Sequence, residues 1–191
     1  MKKIYLLVFI FFGITAGVNA DTNRLVSGEI DAKITIIAYE SLTCSHCAGF
    51  HKDIYPQLKK DFLDTGLAKI EFIHFPLDIA AFNAAKIAQC NYNQGLEILE
   101  SLYSNQQEWI KGKSIEEVNN NLKNFIEKKG FKINFEKCIN NKNIEDFVLN
   151  DRVEGVKNFD INATPTIIIN NKKFEKSLNY KNLKKILEKL I

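Results

Sequence analysis

The chain has 191 residues, with 26 basic and 23 acidic side chains and a formal charge of +3, a length that fits one domain with room for an insertion. Lys2 and Lys3 precede a largely apolar run from Ile4 to Val18, and Val18-Asn19-Ala20 offers small residues for cleavage, which is the pattern of an export signal. Beyond residue 20, 24 basic side chains face 23 acidic ones, and lysines alternate with glutamates as on solvated helix faces, so the composition argues against a nucleic-acid partner.

The apolar run is short for a membrane span, which needs about 17–25 residues; residues 1–20 are therefore read as a cleavable signal peptide, with an uncleaved anchor as the alternative. Export places the chain where thiols are not kept reduced, so its cysteines can pair. Cys44, Cys47, Cys90 and Cys138 permit three pairings. Adjacency favours Cys44 with Cys47 and leaves Cys90 for Cys138.

Taken in chain order, "AKITIIAYE" (Ala32 to Glu40) is rich in β-branched and aromatic residues and reads as a buried strand. It runs directly into "LTCSHCAGFH". From Cys44 the spacing becomes helical, with Phe50, Ile54, Leu58 and Phe62 four apart and an end near Gly66. Pro56 predicts a kink inside that helix. "LAKIEFIHF" (Leu67 to Phe75) is a second strand closed by Pro76, giving a βαβ unit with parallel strands and a right-handed crossover. After Asp78 strand signals stop for some eighty residues. Helical segments follow instead, one of them started by the capping box Ser114–Glu117, then a short one around Cys138 and a longer one from about Asn143 to Asn158. The sheet resumes at "TPTIIIN" (Thr164 to Asn170), with Asn170-Asn171 turning into "KKFEK". A last helix carries Leu183, Ile186, Leu187 and Leu190 on one face.

A C-x-x-C pair at a strand-to-helix turn has a physical consequence. Cys44 is expected in the first helical turn, where unpartnered backbone N–H groups and the helix dipole stabilise a thiolate. Cys47, one turn on, can close a small disulfide ring with it and is the more shielded of the two. His46, between the two sulfurs, adds its ring to the stabilisation of the Cys44 thiolate. A stabilised reduced form makes the disulfide an oxidant.

Zinc is the competing reading of Cys44, Cys47 and His51, with His46 nearby. Closed zinc sites need four ligands, usually as two knuckles, and no second pair is present, so no metal and no cofactor is assigned. A purely structural Cys44–Cys47 bridge is disfavoured because so short a ring constrains the unfolded chain little. His51 and His74 lie outside the motif and read as ordinary surface or half-buried histidines.

"DAKITIIAYESLTCSHCAGFHKDIYPQLKKDF", then "FPLD", and later "ATPTIIIN" resemble the DsbA-like thiol:disulfide oxidoreductases of the thioredoxin superfamily, in particular those of alphaproteobacteria, over essentially the whole mature chain. The resemblance implies an α/β thioredoxin-like fold, 21–78 and 142–191, interrupted by an inserted all-helical domain, 79–141. It implies catalysis by Cys44 and Cys47, a cis-proline loop at Thr164-Pro165 that binds substrate by β-augmentation, and a non-catalytic disulfide between Cys90 and Cys138. Relatives often keep a buried acid six positions before the first cysteine; here that position is Ala38, and Glu40, on the same side of the strand, either substitutes as the proton shuttle or is simply solvated at the strand's end. The commoner proline before the histidine of the motif is Ser45 here. The implied activity is donation of the Cys44–Cys47 disulfide to unfolded cysteine-containing exported proteins in the periplasm, with a DsbB-like membrane oxidase recharging it. The alternatives are a disulfide isomerase or reductase on the same fold, for which residues 21–31 are too few to add a dimerisation domain, and a metal-binding module.

Overall fold

The computed structural model describes residues 23–191; the expected signal peptide lies outside the described residues. The chain begins with β1 (Leu25–Gly28), which the sequence reading does not contain. Next comes β2 (Ile34–Glu40), followed by a long helical stretch in four parts. These are α1 (Ser45–Gly49), a π-helical turn (Phe50–Ile54), α2 (Tyr55–Leu58) and a second π-helical turn (Lys59–Leu63). β3 (Ala68–His74) follows.

Proline explains the first widened turn. Pro56 has no N–H to give, and just before it the Tyr55 N–H reaches back five residues to the Phe50 carbonyl. The expected kink is therefore a change of helical pitch. Wider turns also suit apolar residues spaced strictly four apart: Phe50, Leu58 and Phe62 all reach the core.

Five helices then run without a strand: α3 (Ile79–Gln89), α4 (Tyr92–Ser104), α5 (Gln106–Trp109), α6 (Ile115–Lys128) and α7 (Phe135–Ile139). Ser114 caps α6 by accepting the Glu117 N–H at 3.3 Å, and the Glu117 carboxylate accepts the Lys113 N–H at 2.7 Å, a capping box shifted by one residue on its return arm. The chain re-enters the sheet through α8 (Lys142–Phe159), β4 (Thr166–Ile169) and β5 (Lys172–Lys173), and ends with α9 (Tyr180–Leu187). Asn170 and Asn171, at φ 45° and 64°, make the tight β4–β5 turn. Helix α9 stops short of Leu190, which is exposed while Leu183 and Leu187 are buried.

The sheet order is β1-β3-β2-β4-β5, with β2 and β3 parallel and the other pairs antiparallel. Central β2 is covered on both faces, which is why its sequence is almost continuously apolar. Ile34, Ile36 and Ala38 face the large core shared with α1 to α8. Tyr39 faces a smaller one with Ile73, Phe75, Ile161 and Ile168. There α8 approaches so closely that a Cβ on Gly155 would lie 2.6 Å from the Tyr39 ring. Cys90, at the end of α3, is bonded to Cys138 in α7, with Cα atoms 5.5 Å apart.

Candidate active site

Parallel β2 and β3 both end at one rim of the sheet, and the turn after β2 carries the cysteine pair. Two neighbours fix that turn. Ser41 Oγ accepts the Leu77 N–H at 3.2 Å, and Thr43 donates to Asp78 at 2.7 Å. From the helical segment, buried Gln106 donates through Nε2 to the Leu42 carbonyl at 2.8 Å and to the Cys44 carbonyl at 3.1 Å.

Cys44 is the N-cap of α1, one position before the first helical turn in which the sequence places it. Its sulfur accepts the Cys47 N–H at 3.4 Å. That is the bond a serine or aspartate cap makes, and it directs an otherwise unpartnered helix donor at the sulfur. Across the cleft the Cys44 thiol donates to the Thr164 carbonyl at 3.4 Å. The Thr164–Pro165 peptide bond is cis, so the loop expected to face the cysteines does face Cys44. Ser45 and His46 are exposed. The group that reaches the Cys44 sulfur is a backbone N–H, and the His46 ring makes no hydrogen bond to it.

Cys44 and Cys47 are free thiols of opposite character: Cys44 is partly exposed and Cys47 is buried. Burial pushes the Cys47 thiol far above the usual range, and the negative charge of Glu40 pushes it further.

Glu40 is only 3% exposed, at the C-terminal end of β2 and on the face of Ala38 and Ile36. Its Oε2 lies 2.7 Å from His51 Nε2. His51 is thus neither a surface nor a half-buried residue, and neither is His74, the parallel-strand partner of Glu40. The expectation fails for His51 because the π-helical turn and a wall of rings draw it inward. The ring stacks on Tyr103 at 4.1 Å between centroids and packs against Phe72 and Tyr55. Burial drives His74 down to about 4, so it is neutral near pH 7.

Five buried side-chain atoms among the described residues lack a hydrogen-bond partner: Glu40 Oε1, His51 Nδ1, His74 Nε2, Tyr103 Oη and Thr164 Oγ1. Each belongs to a residue that touches the Cys44–Cys47 turn or the Glu40–His51 pair. Orphaned polar atoms cost roughly 1–3 kcal/mol each, and their gathering in one place marks this end of the sheet as the working end. Among the described residues no three His, Cys, Asp or Glu side chains gather as metal ligands. His51, a ligand in the zinc reading, faces Glu40 instead. Gln106 and the Glu40–His51 contact are the features that sequence reasoning misses, since each joins residues distant in the chain.

A mixed sheet whose central strand leads into a C-x-x-C helix N-terminus, opposite a cis-proline loop, defines a dithiol–disulfide exchanger. The thioredoxin family model matches residues 20–189. Disulfide bond formation protein D of Bacillus subtilis is 27% identical over 181 residues, covering 86% of this chain and 75% of that protein. The crystal structure of Wolbachia pipientis alpha-DsbA1 superposes with a TM-score of 0.79 at 27% identity, covering 88% of this chain and 90% of that one. Oxidised BdbD from Bacillus subtilis gives 0.72 at 26%, covering 87% and 91%. The chain belongs to the thioredoxin family, as a DsbA-like thiol:disulfide oxidoreductase with a helical insertion in its fold.

Proposed function

We propose that this oxidoreductase works as an exported oxidase, passing the Cys44–Cys47 disulfide to unfolded cysteine-containing proteins in the periplasm after its signal peptide, 1–20, is removed. In this reading residues 21–78 and 142–191 form the thioredoxin-like part and 79–141 the insertion; all five described strands lie outside that insertion. The observation that carries the reading is the asymmetry of the pair, a partly exposed sulfur at a helix N-cap beside a buried one.

A substrate thiolate attacks Cys44 Sγ, forming a mixed disulfide. The Cys44–Cys47 bond breaks, and Cys47 departs with the electron pair and takes up a proton. Glu40 supplies that proton, acting as the shuttle in place of an acid at position 38. A second substrate thiolate then attacks the substrate sulfur of the mixed disulfide, forming the product bond and releasing Cys44 as a thiolate. Two electrons have passed to the protein, and a DsbB-like membrane oxidase removes them. Asn162 and Ala163 leave the cis-proline loop open to solvent, and Thr164 offers backbone to an extended substrate strand. Ser45 and His46, facing outward, set how strongly the pair oxidises.

The test uses the oxidised protein and reduced, unfolded ribonuclease. Wild type is expected to oxidise ribonuclease thiols stoichiometrically, and Cys44→Ala not at all. Oxidation by the variant at the wild-type rate would sink the reading. The equilibrium of the pair with glutathione separates an oxidase from a reductase: an oxidase is mostly reduced in a mixture of GSH and GSSG that leaves a reductase oxidised.

A further inference from the structure

We propose that His51 is a proton carrier for Cys47, receiving through Nε2 the proton that Glu40 Oε2 holds and exchanging it with the solvent of the cleft that its ring borders. This deepens the oxidase reading and rests on its use of Glu40 as the acid. Cys47 must lose its proton each time it closes the disulfide and regain one each time it leaves. Both cysteine and carboxylate are buried, so Glu40 alone can hold a proton but cannot dispose of it.

The geometry supplies the missing step. The Glu40 and His51 side chains, 3% and 4% exposed, are 2.7 Å apart. Each keeps a second heteroatom unpartnered, Oε1 and Nδ1. A purely structural buried pair is stable only when its remaining polar atoms are also satisfied, and this one leaves both open. Beyond the pair lies an open cleft of about 750 Å³ lined by His51 with Ser45, Tyr103 and Gln106. A proton on the ring is therefore one residue from solvent, while a proton on Glu40 is walled in. Placement in a π-helical turn fits as well, since such turns inside α-helices are frequent at functional sites.

The other titratable groups nearby do not compete. Glu40 faces His51 from β2, and Cys47 in α1 is near enough to feel the charge of Glu40. Tyr103 of α4 and Tyr55 of the same helical stretch are both held well above their usual range by burial. His74 of β3, beside Glu40, is held down at about 4. Between pH 5 and 9 these three stay neutral, so none of them carries the proton away from Cys47; Lys52, Asp53 and Glu108 line the cleft beyond the His51 ring.

In the balanced step, the Cys47 thiol gives its proton to Glu40, and the Cys47 thiolate attacks Cys44 Sγ in a Cys44–glutathione mixed disulfide. The Cys44–glutathione bond breaks, glutathione leaves as a thiolate, and Glu40 returns to its ionised form by passing the proton to His51 and the cleft. The test reduces the full protein, adds GSSG, quenches with acid and follows two rates by mass spectrometry from pH 5 to 9: formation of the mixed disulfide, and its resolution by Cys47.

His51→Gln keeps size and a hydrogen bond to Glu40 but cannot relay a proton. Its resolution rate is expected to fall about 10²-fold near pH 7, within the range of general acid–base catalysis, and to rise steeply with pH as hydroxide takes over. Mixed-disulfide formation, which needs no Cys47 proton, is the internal reference. Glu40→Gln combined with His51→Gln is expected to be no slower than Glu40→Gln alone, as for residues acting in one unit. Wild-type resolution is also expected to slow in D2O, a measurement that needs no variant. Resolution by His51→Gln at the wild-type rate and pH profile overturns the proposal, as does an equal loss at every pH, which would mark a structural role, or the absence of any D2O effect. Because GSSG replaces protein substrate here, failure of the oxidase reading with ribonuclease is a separate result.

Discussion

Glu40 and His51 are eleven positions apart, yet they share one hydrogen bond, which shows what residue-level reading can and cannot reach. Cys44 and Cys47 are legible because their chemistry is local: three positions of spacing at a helix start decide it. Glu40 is legible in part, from the two-residue alternation of a strand, since Ala38 and Glu40 share a face. His51 is not, because its inward placement depends on a π-helical turn and on Tyr103, which comes from another helix. His74 has a consequence for acid stability. Its neutral form is favoured in the native state, down to about 4, whereas an unfolded histidine titrates near 6.5. Its contribution is whole above pH 6.5 and is lost as pH falls towards 4, at about 1.4 kcal/mol per unit and about 3 kcal/mol in all. Urea unfolding at pH 7.5, 6 and 4.5 checks this: the stability difference between wild type and His74→Leu should shift against wild type on acidification. Parallel losses would contradict it.

Among the elements, those with strong periodicity are legible: β2, β3, β4, α3, α6, α7, α8 and the Asn170-Asn171 turn fall where apolar spacing and turn chemistry place them, whereas the single helical segment expected over Gly95 to Ile110 is broken at Asn105 into α4 and α5. Strand β1 is not, for it has four residues, and only Leu25 reaches the hydrophobic core. The end of α9 is misjudged because Leu190 continues the apolar pattern one turn past the last packed residue. A link between elements that no periodicity encodes is the reach of α5 to the cysteine turn through Gln106. Gln106→Leu preserves bulk but strands the Leu42 carbonyl and leaves the Cys44 carbonyl only its Ala48 N–H, so it is expected to lower stability by about 1–3 kcal/mol. A urea midpoint unchanged from wild type would show that the contact contributes nothing.

For the whole molecule, the insertion and the sheet share one hydrophobic core, and the Cys90–Cys138 bridge closes a loop with a sequence separation of 48. In the chain-entropy model such a loop adds about 4 kcal/mol. Replacing both residues by serine is expected to cost several kcal/mol in urea unfolding while leaving disulfide exchange by Cys44 and Cys47 in place. A double variant as stable as wild type would count against the bridge as a staple. The βαβ unit and the long strand-free interval are legible because they are global features of the text, and the fold class follows from the family resemblance; the core shared by insertion and sheet is not legible, since it depends on close approaches such as that of α4 to β1, where a Cβ on Gly95 would lie 2.5 Å from Leu25.

The two-residue strand β5 bears on a hazard common to every open sheet. It forms one margin of the sheet, with β1 at the other, and consists of Lys172 and Lys173, both exposed. Short, lysine-bearing margins discourage a foreign strand from annealing there. If the cis-proline loop holds an extended client as proposed above, this margin offers that client little to pair with.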